Sequence, residues 1–246
     1  NFFGKILISL YINIALRFVF IFADKIIVLT QSYIDILTKY GVPLKSIVVI
    51  PNATDFNVSL ESKSLSENSP YINLLANGRV DHQKNYHFMF RCLALLKAKG
   101  VNFRLSIVSK GRMQDDLEKY AETLGITENI IWLGRVYGEE LEKVYATADI
   151  FLHTALFEGF ATVLIEAMAK GLPICATRVL GVKDVVKHDF NGLLSSFNEE
   201  EFVANLQKVI QHKDLYRTFS QNNLITVGQY KWTNIIDATT TIYSNL

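Results

Sequence analysis

A chain of 246 residues, half of them hydrophobic, is long enough for a domain and a half with a sizeable core. Its 25 Lys and Arg against 24 Asp and Glu leave a formal net charge of +1, which excludes nucleic-acid binding held by bulk charge. The two cysteines, Cys92 and Cys175, fall in apolar helix and strand patterns and read as small buried hydrophobes of a reducing compartment, and no Cys or His spacing suits a metal.

The chain opens on Asn1 rather than Met, which reads as a fragment. Residues 6–23 are strongly apolar, with Arg17 as their only charge. Ser9, Asn13 and Arg17 recur every four residues and would form one polar helix face. A helix packed on the protein is the favoured reading, an interfacial membrane helix the second, and a membrane span, for which the stretch is at the short limit, the third. Only Lys5 would serve as the basic start of a signal peptide. Residues 25–29 predict a buried strand, followed by a helix capped by Thr30 or Ser32 and ended at Gly41. A strand over 46–50 is stopped by Pro51-Asn52, and Ser59 to Pro70, rich in Ser, Glu and Asn, reads as a linker.

From Tyr71 the pattern alternates. Strands are predicted over 71–76, 103–108, 130–133, 150–152, 174–176 and 192–194, with helices over 86–99, 113–124, 139–147, 162–170 and 182–187 between them. Such alternation implies a parallel, doubly wound sheet, in which ligands sit outside the carboxyl ends of the strands. Three helices, 199–211, 215–226 and 232–244, close the chain without further strands.

The strand-end loops carry the residues that suggest chemistry. The first, residues 77–85, reads Asn-Gly-Arg-Val-Asp-His-Gln-Lys-Asn: Gly78 permits a close turn, and Arg79 and Lys84 bring two cations to one loop. Taken alone, such a pair is usually just solvated. The fourth loop leads into Glu158-Gly159-Phe160-Ala161-Thr162-Val163-Leu164-Ile165-Glu166, then Ala-Met-Ala-Lys-Gly-Leu-Pro. Two carboxylates here flank the start of an apolar helix, whose free N–H groups and dipole attract anions. An ionised carboxylate is costly to bury without partners, so the pair marks a site; the plain alternative for Glu166 is a half-buried helix residue paired with a nearby cation. The histidines, His82, His87, His153, His188 and His212, show no triad or ligand spacing and read as structural.

The stretch from Glu158 to Glu166 resembles the Glu-x7-Glu signature of glycosyltransferase family 4, the retaining sugar transferases of GT-B fold. The resemblance covers nearly the whole chain, since residues 23–30 and 50–55 look like the close of the family's first domain and the Trp232 helix like its final crossing segment. It implies an α/β, GT-B-type doubly wound parallel sheet, Rossmann-like, with one complete domain and a partial second. The implied division is 1–58, remnant of the acceptor-side domain; 59–70, linker; 71–228, nucleotide-sugar-binding domain; and 229–246, a helix crossing back. Arg79 and Lys84 would hold the donor diphosphate, with Gly78 shaping their turn. Glu158 would accept from the sugar hydroxyls and Glu166 from the ribose. Gly159, Phe160, Ala161 and Thr162 would turn their N–H groups to phosphate or sugar, and the backbone at Arg135 and Val136 would meet the base. The sequence departs from the family at Ser109, in place of the first glycine of a Gly-x-Gly, at Ala161, where glycine is common, at Gly181, the one glycine kept of a pair, and at Ala53. No Asp-x-Asp occurs, so no metal clamp is expected, nor any cofactor besides the donor substrate.

The function implied is transfer of a hexosyl or N-acetylhexosaminyl group from a nucleotide diphosphate sugar to a carbohydrate or lipid-linked acceptor, in polysaccharide or glycolipid synthesis. The setting implied is cytoplasmic, with peripheral contact at the inner membrane face allowed by the apolar first helix, and with no nucleic-acid partner. Two alternatives stand beside it: a nucleotide-sugar-binding subunit or remnant without activity, favoured by a true start near residue 1, and a nucleotide-sugar epimerase of the same fold.

Overall fold

A computed structural model describes residues 14–65 and 69–245. Ser9, Asn13 and the start of the predicted first helix therefore lie outside the described residues, as does the centre of the predicted linker. The described residues fall into two compact units, one within Asn1–Asn52 and Thr233–Leu246 and one within Ala53–Trp232.

In the smaller unit, residues 14–22 are helical. Ile14, Phe18, Val19, Ile21 and Phe22 are exposed on this helix, where no described element covers them, while Ala15 and Phe20 are half-buried. No helix among the described residues is long and apolar enough to cross a membrane. Strand β1 (Ile26–Val28) pairs in parallel with β2 (Ile47–Val49) across helix α1 (Ser32–Lys39). β1 is only half-buried, against expectation, since Ile27 faces outward. The expected Ser or Thr cap also fails: the cap residue of α1 is Gln31, and no cap side chain closes the helix, which starts instead with a turn from the Thr30 carbonyl. Gly41 ends the helix at φ +85°, where glycine is unstrained.

The larger unit is built on six parallel strands: β3 (Ile72–Asn77), β4 (Phe103–Val108), β5 (Ile130–Gly134), β6 (Ile150–His153), β7 (Ile174–Thr177) and β8 (Gly192–Ser195). Their order is β5-β4-β3-β6-β7-β8, so the chain winds outward one way from β3 and then returns to wind the other way from β6. The helices α2 (Tyr86–Ala98), α3 (Gln114–Thr123), α4 (Gly138–Thr147), α5 (Thr162–Ala169) and α6 (Val182–Val185) make the crossovers, and α7 (Glu199–Gln211) and α8 (Lys213–Thr226) follow; α9 (Trp232–Ser244) belongs from Thr233 onward to the smaller unit. With two parallel sheets, one six-stranded and one two-stranded, the architecture is the α/β GT-B fold expected.

Successive strand residues point to opposite faces, and the sequence supplies apolar side chains for both. Leu74, Leu105, Ile107, Ile150, Leu152, Cys175 and Leu193 enter one core with Phe88, Phe90 and Phe202. Leu75, Phe151, Ile174, Ala176 and Leu194 enter the other with Tyr145, Leu164, Ile165 and Met168. Both cysteines are free and buried; burial pushes the thiols up, that of Cys175 to about 12. The described part of the predicted linker lies against this unit, through Ser59 N–H to Ala169 O at 2.8 Å and Lys63 N–H to Ser220 Oγ at 2.7 Å.

Candidate functional site

Where the winding reverses, β3 and β6 lie side by side, and the region outside their carboxyl ends is where doubly wound sheets form their ligand crevice. The loops that follow the two strands are stitched at the base. Leu156 N–H donates to Gln83 O at 2.8 Å, Gln83 Nε2 to Phe157 O at 3.0 Å, and the buried Thr154 hydroxyl to Lys84 O at 3.0 Å. The loop after β4 joins them through Val80 N–H to Lys110 O and Met113 N–H to Val80 O. The loop after β7 closes from the other side: a Cβ on Gly181 would lie 2.6 Å from Glu158 O and 2.7 Å from Gly159 O. Glycine is required at Gly181 both by that approach and by its φ of +78°.

This scaffold brings Lys84 and Glu158 into an ion pair at Glu158 Oε1. Both are largely buried, with side-chain exposures of 15% and 8%. The Lys84 stem lies across Gly78, where an added Cβ would come within 2.9 Å of Cε. His153, the last residue of β6 and 3% exposed, puts Nε2 at 3.3 Å from the same Oε1 without the alignment of a hydrogen bond. Burial pushes the Glu158 carboxyl up, but His153 and Lys84 outweigh it and hold it below the usual carboxylate range. Burial, helped by Lys84, pushes the His153 ring down against the opposing pull of Glu158.

Glu166 occupies the second turn of α5. Tyr145 from α4 donates its hydroxyl to Glu166 Oε2 at 2.6 Å, and Asn77 at the end of β3 reaches Tyr145 Oη at 2.9 Å and Glu166 Oε2 at 3.5 Å. Burial raises the Glu166 carboxyl above its ordinary range despite these donors. The plain alternative, a helix glutamate neutralised by a Lys or Arg, does not describe it: its hydrogen-bond donors are a tyrosine and an asparagine. Arg79 is different in kind. Its side chain is 72% exposed and turns to Asp81 at 3.6 Å and Gln83 at 3.3 Å. Gly159 is exposed and Phe160 half-buried ahead of α5, while Ala161 is buried as its cap residue. Arg135 lies exposed and Val136 half-buried just after β5. Ser109, in the position of a glycine, takes φ +95°, so the backbone keeps a glycine-like shape with a serine in it.

The structure thus gathers Gly78, Lys84, Glu158 and Glu166 around one crevice, with Arg79 on its exposed side. Sequence reasoning missed Asn77, Tyr145, Thr154 and His153. Tyr145 lies in no motif, and His153 has no triad or ligand spacing to mark it. The signal that was present was position, since His153 immediately follows the hydrophobic run of a central strand. Among the described residues no group of three His, Cys, Asp or Glu side chains could hold a metal ion.

A family profile, that of the glycosyl transferases group 1, matches residues 58–224. The chain belongs to this family. Among group 1 relatives, an uncharacterized glycosyltransferase of Methanocaldococcus jannaschii is 28% identical over 226 residues, covering 80% of this chain and 57% of the relative. The chain spans about half the length of the curated relatives it matches. Solved structures share the fold. Sucrose-phosphate synthase from Thermosynechococcus elongatus superposes with a TM-score of 0.80 at 21% identity, over 95% of this chain and 61% of that one. HepE of Anabaena, solved with UDP-glucose, gives 0.77 at 20% identity, over 92% and 65%. The profile's span takes in all six strands of the larger unit and every crevice residue named above.

Proposed function

We propose that the crevice binds a nucleotide diphosphate sugar and that the whole protein is a retaining glycosyltransferase. Membership of the group 1 family supports the class of reaction. The observation that carries the reading is the pairing of Lys84 with Glu158 at the switch point, one turn-start away from α5 and with Glu166 behind it. Nothing in a core requires a buried cation and carboxylate here. A ligand with phosphates and hydroxyls would use both.

In this reading Lys84 and Arg79 hold the diphosphate, Arg79 swinging in from solvent. Glu158 accepts from sugar hydroxyls and Glu166 from the ribose. The N–H groups of Gly159 to Thr162 face the phosphate or sugar, and the backbone at Arg135 and Val136 borders the base. Departure of the diphosphate from an oxocarbenium-like centre is eased by the cations and the helix start, which meet the charge that develops on the leaving oxygens. The acceptor, carbohydrate or lipid-linked, and the setting, polysaccharide or glycolipid synthesis at the cytoplasmic side of a membrane, follow from the family resemblance.

The test is calorimetry with UDP-glucose, UDP and uridine, the first being the ligand of the HepE structure. Arg79→Ala and Lys84→Ala are expected to lose affinity for the two diphosphates and little for uridine. Glu158→Gln is expected to weaken UDP-glucose more than UDP. Binding is expected to survive EDTA. Equal losses for uridine and the diphosphates, or strict dependence on Mg²⁺ or Mn²⁺, would sink the assignment.

A further inference from the structure

One group at the crevice has no assigned role. His153 is 3% exposed, its Nε2 is buried without a hydrogen-bond partner, and that atom lies 3.3 Å from Glu158 Oε1. A buried imidazole left in this state costs on the order of 1–3 kcal/mol relative to a paired one. The same oxygen is held by Lys84. Lys84 cannot serve Glu158 and a ligand phosphate fully at once, because a lysine presents one point charge. Once the ammonium turns to a phosphate, Glu158 stays behind as a buried carboxylate in need of a donor.

We propose that His153 is a positioning residue that takes over Glu158 when Lys84 is drawn to a ligand phosphate. The proposal rests on the donor-site reading above. The handover is a proton uptake. In the ligand-free protein burial and Lys84 hold the ring below its ordinary titration range. As Lys84 leaves, the imidazole takes a proton from solvent, and its Nε2–H donates to Glu158 Oε1. The charged groups that act on the ring come from the two loops of the crevice, Lys84 from that after β3 and Glu158 from that after β6. The first disfavours the protonated ring and the second favours it, so removing only the first raises the ring's pKa. The sign follows. Ligand binding gains from protonation below the ring's bound-state pKa, and this gain is lost as pH rises through it.

Two experiments test this, both on the 246-residue chain. The first needs no ligand. In Lys84→Met the imidazole pKa of His153, followed by NMR, should rise well above its wild-type value; an unchanged pKa overturns the proposal whatever the crevice binds. Second, calorimetry of UDP-glucose at pH 6–7, in buffers of different ionisation enthalpy, should show net proton uptake in the wild type. UDP-glucose itself has no group that titrates there. Affinity should fall with rising pH, with a limit of about tenfold per pH unit for one proton. His153→Asn, which keeps a polar side chain of similar reach, should bind with no proton uptake and a flat pH profile. Equal proton uptake in wild type and His153→Asn overturns the proposal. A wild type that binds none of UDP-glucose, UDP-N-acetylglucosamine or GDP-mannose overturns the donor-site reading and the handover with it, and the Lys84→Met titration tells the two failures apart.

Discussion

At the residue scale, the crevice is set by a few side chains whose value depends on small distances. Gly181 holds the Glu158–Gly159 backbone from behind, with no room for a methyl group. Gly181→Ala adds a left-handed penalty of ~1–2 kcal/mol to a backbone clash. That penalty alone should lower the unfolding midpoint by roughly 2–8 °C, at about 2–4 °C per kcal/mol for a chain of this size, and the clash lowers it further. The substitution should also weaken sugar-nucleotide binding, because Glu158 moves. Gly100→Ala is the control: its φ of +81° is similar, but nothing lies within 4 Å of the added atom. Gly100→Ala should therefore cost stability and leave binding intact; if both variants bind alike, Gly181 does not position the carboxylate. Glu166 makes the opposite trade. Its folded pKa is raised by burial, so its charge opposes folding at neutral pH, and that cost disappears as pH falls through the folded value. Glu166→Gln keeps an acceptor for Tyr145 and removes the charge. Thermal unfolding at pH 7 should show a midpoint higher by a few degrees, the size of about 1 kcal/mol in such a chain. Nucleotide affinity should fall in the same protein. A lower midpoint would mean the carboxylate is stabilised by more than Tyr145 and Asn77.

At the scale of elements, the central strands are tied to the helices by single buried polar groups. Asn223 of α8 is fully buried and donates to Leu172 O at 2.7 Å and to Asn191 O at 2.9 Å, in the turns that feed β7 and β8. Asn223→Ala leaves both carbonyls without that donor, and should cost ~2–4 kcal/mol by denaturant unfolding. A loss below half of that would show that water replaces the amide. Asn223 itself carries no signal in the sequence, whereas the elements it joins do. The alternation of apolar runs with periodic segments placed all six strands to within a residue or two, because burial on both faces demands continuous apolar runs. β1 was different. Its Ile-Ile-Val looks like a buried strand, yet one face has no partner among the described residues. The crevice was legible only where motifs mark it. The carboxylates and cations could be located from Glu158–Glu166 and Gly78–Lys84, since local turns and a helix start fix them. The contacts of Tyr145 and Asn77 with Glu166, and of His153 with Glu158, are set by which strands lie side by side. Spacing along the chain does not carry that information.

For the molecule as a whole, the carboxylates that lean on partners set its response to acid. Burial pushes Glu158 up, but His153 and Lys84 bring it below the usual range, and Lys208 does the same for Asp189 by a hydrogen bond. Groups with depressed folded pKa values stabilise above their unfolded values and lose that contribution as pH falls through the folded ones. His153, whose ring is held down by burial, must also charge once pH drops below the unfolded histidine value of about 6.5, so the midpoint should be level only above about pH 7, decline gently from there and fall steeply below about 4.5, with Glu166 slightly blunting the fall. A midpoint that rises on acidification would show that the buried Glu166 outweighs the others. The strand order has one more result, which concerns how the protein comes to exist. The cations belong to the half of the sheet made first, β3 to β5, and the carboxylates with the helix start belong to the half made second. Synthesis from the N-terminus yields the first half with its crevice only half furnished. Leu74 must then find Ile150, and Leu75 must find Phe151, far along the chain. Contacts so distant in sequence close late, because their loop entropy is met before they repay it. Ligand recognition would then be among the last properties to appear in folding, and a bound nucleotide would stabilise only chains in which both halves have already met.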